Sequence, residues 1–490
     1  MYLRKIPFAT VLCLASAGFI ACNSHTAVDP EEETASSAAV RSFSLTANSN
    51  IMYGLDSVYF SIDLVKGLIF NADSLPFETP VTRLVPVVTT PDGASLIEFN
   101  VTRANGTDTV YDYINNSTDS IDFTNPVRLR VVSTDGLNER YYTVKVNVHQ
   151  VKSDSLMWGD NSSTLLPTVF ATPEKQRTVR SGDTFYCLTS AGRQYCMASH
   201  SGNFAGLNGA VMNLSDWTKK SVSFSFTPVV ESLGATDDAI YILDTTGRLY
   251  QSADGGDTWN DTGLVWSHIY GGYADRVLGV ARSGDSYKIQ TYPGAAEMPL
   301  PEGMPVSGTS IPVYYSFPMA ANPQMLIVGG RLADGSLTPA TWGYDGSSWM
   351  KISRQTLSVP LADVAVAPYF TVSGKTWAPV SRATLVAMGG VNSEGNRVDS
   401  VYVSDDYGLH WRVAKDNMKL PQNVGKFSGA QAYVMSSTYY VADIAPKIAR
   451  PSESWECPFI YMFGGVNENG TQRNVVWRGV INSMTFRPIE

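Results

Sequence analysis

The sequence predicts an all-β protein, a β-sandwich near the N-terminus followed by a β-propeller. Three observations carry that expectation. Between residues 41 and 150, apolar and polar residues alternate with period two between turn signals, as in strands buried on one face. Beyond residue 151, glycine- and tryptophan-bearing segments recur, the mark of a fold assembled from repeated units. Turn glycines at 192, 247, 284, 335, 395 and 470 divide that region into six candidate blades.

Residues 1–21 read as a signal peptide. A basic start, Met1-Tyr2-Leu3-Arg4-Lys5, precedes an apolar stretch from Ile6 to Ala21 that is too short and too one-sided for a spanning helix. Phe19-Ile20-Ala21-Cys22 resembles a lipobox, with Phe19 in place of the usual Leu. The resemblance implies cleavage before Cys22 and attachment to a membrane through lipid on its thiol. Residues 22–40 are polar, with Glu31-Glu32-Glu33, and are expected to form a disordered tether. Such an acidic cluster resembles the signal that sends Bacteroidota lipoproteins to the outer face of the outer membrane. That implies surface exposure, with a periplasm-facing anchor as the alternative.

The 490-residue chain carries a formal charge of −9, lowered further once Arg4 and Lys5 are removed. An acidic surface without a Lys/Arg cluster argues against nucleic acid as a partner. Of five cysteines, Cys187, Cys196 and Cys457 lie beyond the leader and the lipidation site. If Ser190 and Arg193 flank a two-residue hairpin loop, Cys187 and Cys196 face each other. A cross-strand disulfide is then one reading and two separate buried thiols the other. His25, His149, His200, His268 and His410 show no metal-ligand spacing, and no metal or cofactor is expected.

In the first region, Val58, Phe60, Ile62 and Leu64 fall on one side of a strand. Val127, Leu129 and Val131 do the same, as do Tyr142, Val144, Val146 and Val148 after the Asp135-Gly136 turn, so these last two strands should form a hairpin. Several short strands over residues 41–150 suit a sandwich of immunoglobulin-like build. Tyr141-Tyr142-Thr143-Val144-Lys145-Val146 resembles the closing strand of Ig-like modules in Bacteroidota surface lipoproteins, which implies a spacer.

In the second region, 151–490, Tyr186-Cys187-Leu188-Thr189-Ser190-Ala191-Gly192-Arg193-Gln194-Tyr195 aligns without gaps on the stretch from Tyr241 to Tyr250. Ser252, Asp254, Gly256 and Trp259 fit Ser-x-Asp-x-Gly-x-x-Trp, as do Ser404, Asp406, Gly408 and Trp411. The pattern resembles the Asp-box, a folding device. Its Asp accepts N–H groups of its own turn, its Gly takes positive φ and its Trp packs beneath, so neither Asp254 nor Asp406 is read as catalytic. Apolar strands end in Gly329-Gly330, Gly389-Gly390 and Gly464-Gly465, which resemble kelch blades. Ile269-Tyr270-Gly271-Gly272 is a weaker fourth candidate.

The whole chain resembles a family of Bacteroidota lipoproteins that join an Ig-like domain to a kelch or Asp-box propeller, a resemblance that implies no reaction. A sialidase needs three arginines, a Tyr–Glu pair and an acid. The stretch Gln176-Arg177-Thr178-Val179-Arg180 lacks the Arg-Ile-Pro signature, and Arg487-Pro488 substitutes poorly. Copper oxidation lacks the required histidines and a suitable context for Cys457. The catalytic and binding residues are thus unassigned. The expected function is a binding or assembly module for a glycan or protein partner, more in keeping with a non-enzyme. The alternative is a glycan-active hydrolase, lyase or epimerase working in the propeller's central pocket. Trp266, Tyr270, Tyr273, Tyr314, Tyr315, Phe317, Tyr369 and Trp377 are the aromatics that would stack on sugar rings.

Overall fold

The computed structural model describes residues 37–482 except 103–105, 151, 153–154, 159–162, 205–210, 285, 295, 317–321, 374–379 and 441–453, with backbone alone for 371–373, 380–382, 436–440, 454–457 and 482. The expected signal peptide, Cys22, most of the tether, Phe317, Trp377 and Arg487-Pro488 lie outside the described residues, as does the side chain of Cys457. The chain divides into two compact units.

In the first unit six strands form one sheet in the order Phe60–Asp63, Leu68–Asn71, Glu139–Lys145, Val127–Val132, Leu96–Thr102, Asp108–Asp112. Ser42–Leu45 and Pro86–Thr89 form a two-stranded sheet. Val127, Leu129, Val131, Tyr142 and Val144 are buried while Arg128 and Thr143 face outward, as their alternation requires. The Asp135-Gly136 turn is fixed by the Asp135 carboxylate, which accepts the Ser133 hydroxyl and the Leu137 N–H. Leu64 departs from expectation, because it falls in a turn and is 46% exposed. The strands divide six and two, whereas an immunoglobulin sandwich splits more evenly.

Among the described residues the second unit forms six sheets of four or five strands and a small two-stranded one, Phe427–Ser428 with Val466–Asn467. Sheets I to V span 175–222, 234–265, 268–299, 313–351 and 365–413, each with four antiparallel strands in chain order. Sheet VI is made from both ends of the unit. Gln431–Tyr440, Ser454–Phe463 and Val476–Asn482 are completed by Ser163–Thr164 and Ser155–Met157, which pair with the last of them.

The second strand of each sheet explains the ring. In Met325-Leu326-Ile327-Val328 every residue is buried, because alternate side chains point into different interfaces. Met325 and Ile327 pack in an apolar cluster shared with sheet III, and Leu326 and Val328 in one shared with sheet V. Leu385-Val386-Ala387-Met388 and Ile460-Tyr461-Met462-Phe463 divide in the same way. Clusters of this kind join I to II, II to III and so on, and the last joins VI back to I through Phe185, Cys187, Tyr461 and Phe463. Each of the six turn glycines lies between the second and third strands of one sheet.

Several sequence expectations are corrected. Gly271-Gly272 lies in the first strand of sheet III, whereas the other diglycines follow second strands. It marks close sheet-to-sheet approach, since a Cβ on Gly272 would sit 2.2 Å from the Ala235 carbonyl oxygen. Cys187 and Cys196 are buried free thiols. The loop of their hairpin is Gly192-Arg193, so Cys187 pairs with Ala198 and Cys196 with Thr189, and the two never face each other. Burial pushes the Cys187 thiol up to about 12. The aromatics offered for sugar stacking are mostly packing groups. Trp266, Tyr270 and Tyr369 are buried, and the Tyr314 hydroxyl donates to the Gly272 carbonyl at 2.6 Å.

Candidate functional site

Antiparallel strands put the connections from strand two to three, and from strand four into the next sheet, at one end of the propeller. The remaining connections lie at the other end. The two Ser-x-Asp-x-Gly-x-x-Trp segments are connections from strand three to four, on the far end. There Asp254 accepts the Ser252 hydroxyl at 2.7 Å, the Asp257 N–H at 3.0 Å and the Thr258 N–H at 2.9 Å. Asp406 accepts the Ser404 hydroxyl at 2.8 Å and the His410 N–H at 3.0 Å. Gly256 and Gly408 each donate N–H to the motif serine, at 2.8 and 2.9 Å. Trp411 Nε1 donates to Thr341 of sheet IV at 2.8 Å, so this turn wedges its sheet against the preceding one. The carboxylates are consumed within their own turns, and hydrogen bonds from Thr258 and Ser252 hold Asp254 well below the usual carboxylate range.

The end of the propeller with the diglycine turns encloses a cavity of about 1130 Å³ lined by residues of all six sheets. The diglycine repeats build half of it by a shared device. The residue after the second glycine bridges to the one six further on, giving the pairs Arg331 with Leu337, Val391 with Arg397 and Val466 with Gln472. Each pair thus supplies one long polar side chain at the rim, namely Arg331, Arg397 or Gln472. Arg177 enters from the first strand of sheet I, and its buried Nε has no hydrogen-bond partner among the described residues. Arg397 Nε donates to Ser428 Oγ at 3.1 Å.

Facing the arginines is Asp363, in the connection leading into sheet V, with a carboxylate oxygen 3.8 Å from the Arg331 guanidinium. Its side chain keeps 39% of its surface exposed. The cavity wall nevertheless raises its pKa, against the opposing pull of Arg331, Arg177 and Arg397. His268 Nε2 lies 3.0 Å from Thr309 Oγ1, and burial, with Arg177 nearby, holds the imidazole down to about 3, so it is neutral. The other acids of the cavity are engaged. Glu174 accepts the Gly192 N–H at 3.1 Å, Glu231 pairs with Lys175, and Asp244 accepts N–H groups of Thr246 and Arg248 in its own turn. Beside Arg177 a buried amide network ties sheet I to sheet VI. Gln431 Oε1 accepts from Gln176 Nε2 at 2.7 Å and from the Thr178 N–H at 2.9 Å, while Gln176 Oε1 is buried without a donor among the described residues.

Comparison with known proteins places the chain. A model of the DUF6242 beta propeller domain matches residues 152–489, and the DUF6242 N-terminal domain, a domain of unknown function, matches residues 34–146. The chain belongs to the DUF6242 family. Distant likenesses to solved structures accompany that match. The structure of YjhT is 10% identical, with 64% of this chain and 96% of that one covered and a TM-score of 0.40. A GH74 enzyme of Niastella koreensis is 12% identical over 73% of this chain and 48% of its own, with a TM-score of 0.32. The N-terminal domain of Nup159 is 11% identical over 68% of this chain and 97% of that one, with a TM-score of 0.31. Likenesses so remote bring no ligand with them. No curated protein matches the chain.

The DUF6242 propeller therefore gathers charged residues that are scattered in the sequence. The local sequence around Arg177 matches no sialidase arginine, and nothing contiguous marks Arg331, Arg397 and Asp363 as a set. The usable signal was an arginine at either of two fixed offsets from a diglycine.

Proposed function

We propose that the protein is a binding module of the cell envelope whose propeller cavity takes an anionic ligand. Lipid on Cys22 would hold it at the outer membrane, facing the surface. The observation that carries the binding assignment is the convergence of Arg177, Arg331 and Arg397 on one cavity, with Asp363 as the carboxylate left facing them. A chain of formal charge −9 that gathers several guanidinium groups in a partly enclosed space favours anions there, since guanidinium pairs bidentately with carboxylates and the low local dielectric strengthens the attraction. A cavity of about 1130 Å³ leaves room for a ligand larger than a single small anion.

A glycan-active enzyme is the second reading, favoured by the raised pKa of Asp363, a trait of acids that donate protons at neutral pH. Hydrolysis across a pair of carboxyl groups calls for a second free carboxylate, and Glu174, Glu231 and Asp244 are already engaged.

Isothermal titration of the full chain with carboxylates, sulfate and phosphate tests the anion site. Binding that weakens with salt and disappears in Arg177→Met is expected, and equal binding by that variant would remove the assignment. The anchor is tested by fractionation: Cys22→Ala should leave the membrane fraction, and a variant that stays there refutes lipid attachment at Cys22.

A further inference from the structure

Asp363 occupies a position where the neighbouring sheets use glycine. Ser307, Ala362 and Ser428 each bridge to the residue after a diglycine, and the residue that follows each of them has positive φ: Gly308 at 63°, Asp363 at 56° and Gly429 at 68°. The three are linked in series, the Asp363 N–H donating to the Gly308 carbonyl and the Gly429 N–H to the Asp363 carbonyl, both at 2.7 Å. The backbone therefore needs the left-handed conformation there, and glycine is the residue that adopts it without strain. A residue with a Cβ at such a place costs stability, and strain of this kind concentrates at functional sites. What Asp363 brings in exchange is a carboxylate in the cavity, 3.8 Å from Arg331 and acted on by Arg177 and Arg397. A site built only to hold an anion gains nothing from a negative charge there. One built for a ligand bearing both a carboxylate and hydroxyl groups does, because an ionised carboxylate is the strongest acceptor the side chains offer for a hydroxyl.

We infer that Asp363 reads a ligand hydroxyl, so that the cavity is specific for acidic sugars: the arginines take the sugar's carboxylate while Asp363 accepts a hydroxyl of the same molecule. This rests on the anion-binding assignment and narrows it.

Isothermal titration of the full chain with D-glucuronate and with cyclohexanecarboxylate, a ring acid without hydroxyls, tests it in the wild type, D363G and D363N. Glycine serves at both sister positions, so D363G is expected to fold with unchanged or raised thermal stability. D363N keeps a side chain tolerant of positive φ and serves as a check on folding. Wild type should prefer glucuronate. D363G should lose about ten- to a hundredfold in affinity for it, the range for a hydrogen bond to a charged group, and should bind cyclohexanecarboxylate as tightly or more tightly, because a repelling charge has gone. D363N should also lose affinity for glucuronate. Glucuronate binding that is unchanged or tighter in D363G overturns the inference and leaves Asp363 a counter-ion, as does a wild type that prefers the ring acid. Failure of both acids to bind the wild type removes the anion site itself.

Discussion

Gly329 and Gly335 lie in the same connection of sheet IV and both have positive φ, 66° and 85°. They differ in surroundings. A Cβ on Gly335 meets nothing within 4 Å, whereas one on Gly329 would stand 2.2 Å from the Leu361 carbonyl oxygen. That oxygen is held in place, accepting the Gly330 N–H at 2.9 Å. Gly335→Ala should therefore cost only the left-handed backbone penalty, about 1–2 kcal/mol. Gly329→Ala adds a collision with backbone that has nowhere to go. By the usual cost of overpacking, this is about 1–3 kcal/mol more. Urea unfolding of the full chain followed by tryptophan fluorescence, with Trp342 and Trp349 buried in sheet IV as reporters, measures both. Gly329→Ala should shift the midpoint to clearly lower urea than Gly335→Ala at unchanged slope. Equal shifts would refute the claim that the diglycine exists to let neighbouring connections crowd together.

Cys187 and Cys196 should resist alkylation in the folded protein and both take iodoacetamide in denaturant without reductant. Peptide mapping that finds them linked would contradict the register of their hairpin. Asp254→Ala removes an acceptor of two N–H groups and two hydroxyls and should cost about 1 kcal/mol at pH 7. Because hydrogen bonds lower the folded pKa of Asp254, its contribution is fully present above the unfolded value of about 3.9 and fades as pH falls through the folded one. The gap between wild type and variant should accordingly narrow in acid, and thermal melts from pH 7 to pH 3 that keep it constant would rule this out. Arg177→Met removes a buried Nε that has no hydrogen-bond partner among the described residues and should leave stability unchanged or raise it by about 1 kcal/mol, whereas a lowered melting temperature would make Arg177 a structural residue.

Local grammar was the legible part of the sequence. Alternation along 127–132 and 139–145 marks strands because each residue's exposure is decided by its own strand. Turn glycines and the Ser-x-Asp-x-Gly-x-x-Trp segments close their hydrogen bonds within a few residues, so their signals are contiguous. The cavity was illegible for the opposite reason. Arg177, Arg331, Asp363 and Arg397 come from sheets I, IV and V and meet only once the ring has closed. The choice between a disulfide and two buried thiols at Cys187 and Cys196 turned on a single residue. Taking Ala191-Gly192 in place of Gly192-Arg193 as the loop moves every pairing along by two and sets Cys196 opposite the wrong neighbour. The aromatics misled because an interface between sheets and a sugar platform ask for the same side chains.

The composition of sheet VI bears on how the protein is made. Its outermost strands, Ser155–Met157 and Ser163–Thr164, leave the ribosome first, and their partner, Val476–Asn482, leaves last. Until then every intermediate is an open arc with two unpaired edges, apolar on the faces that Phe185 and Cys187 will later share with Tyr461 and Phe463. A chain that lost its last fifteen or so residues would leave the first strands with nothing to pair with and the arc unclosed. Its exposed edges would then recruit a second molecule or a protease.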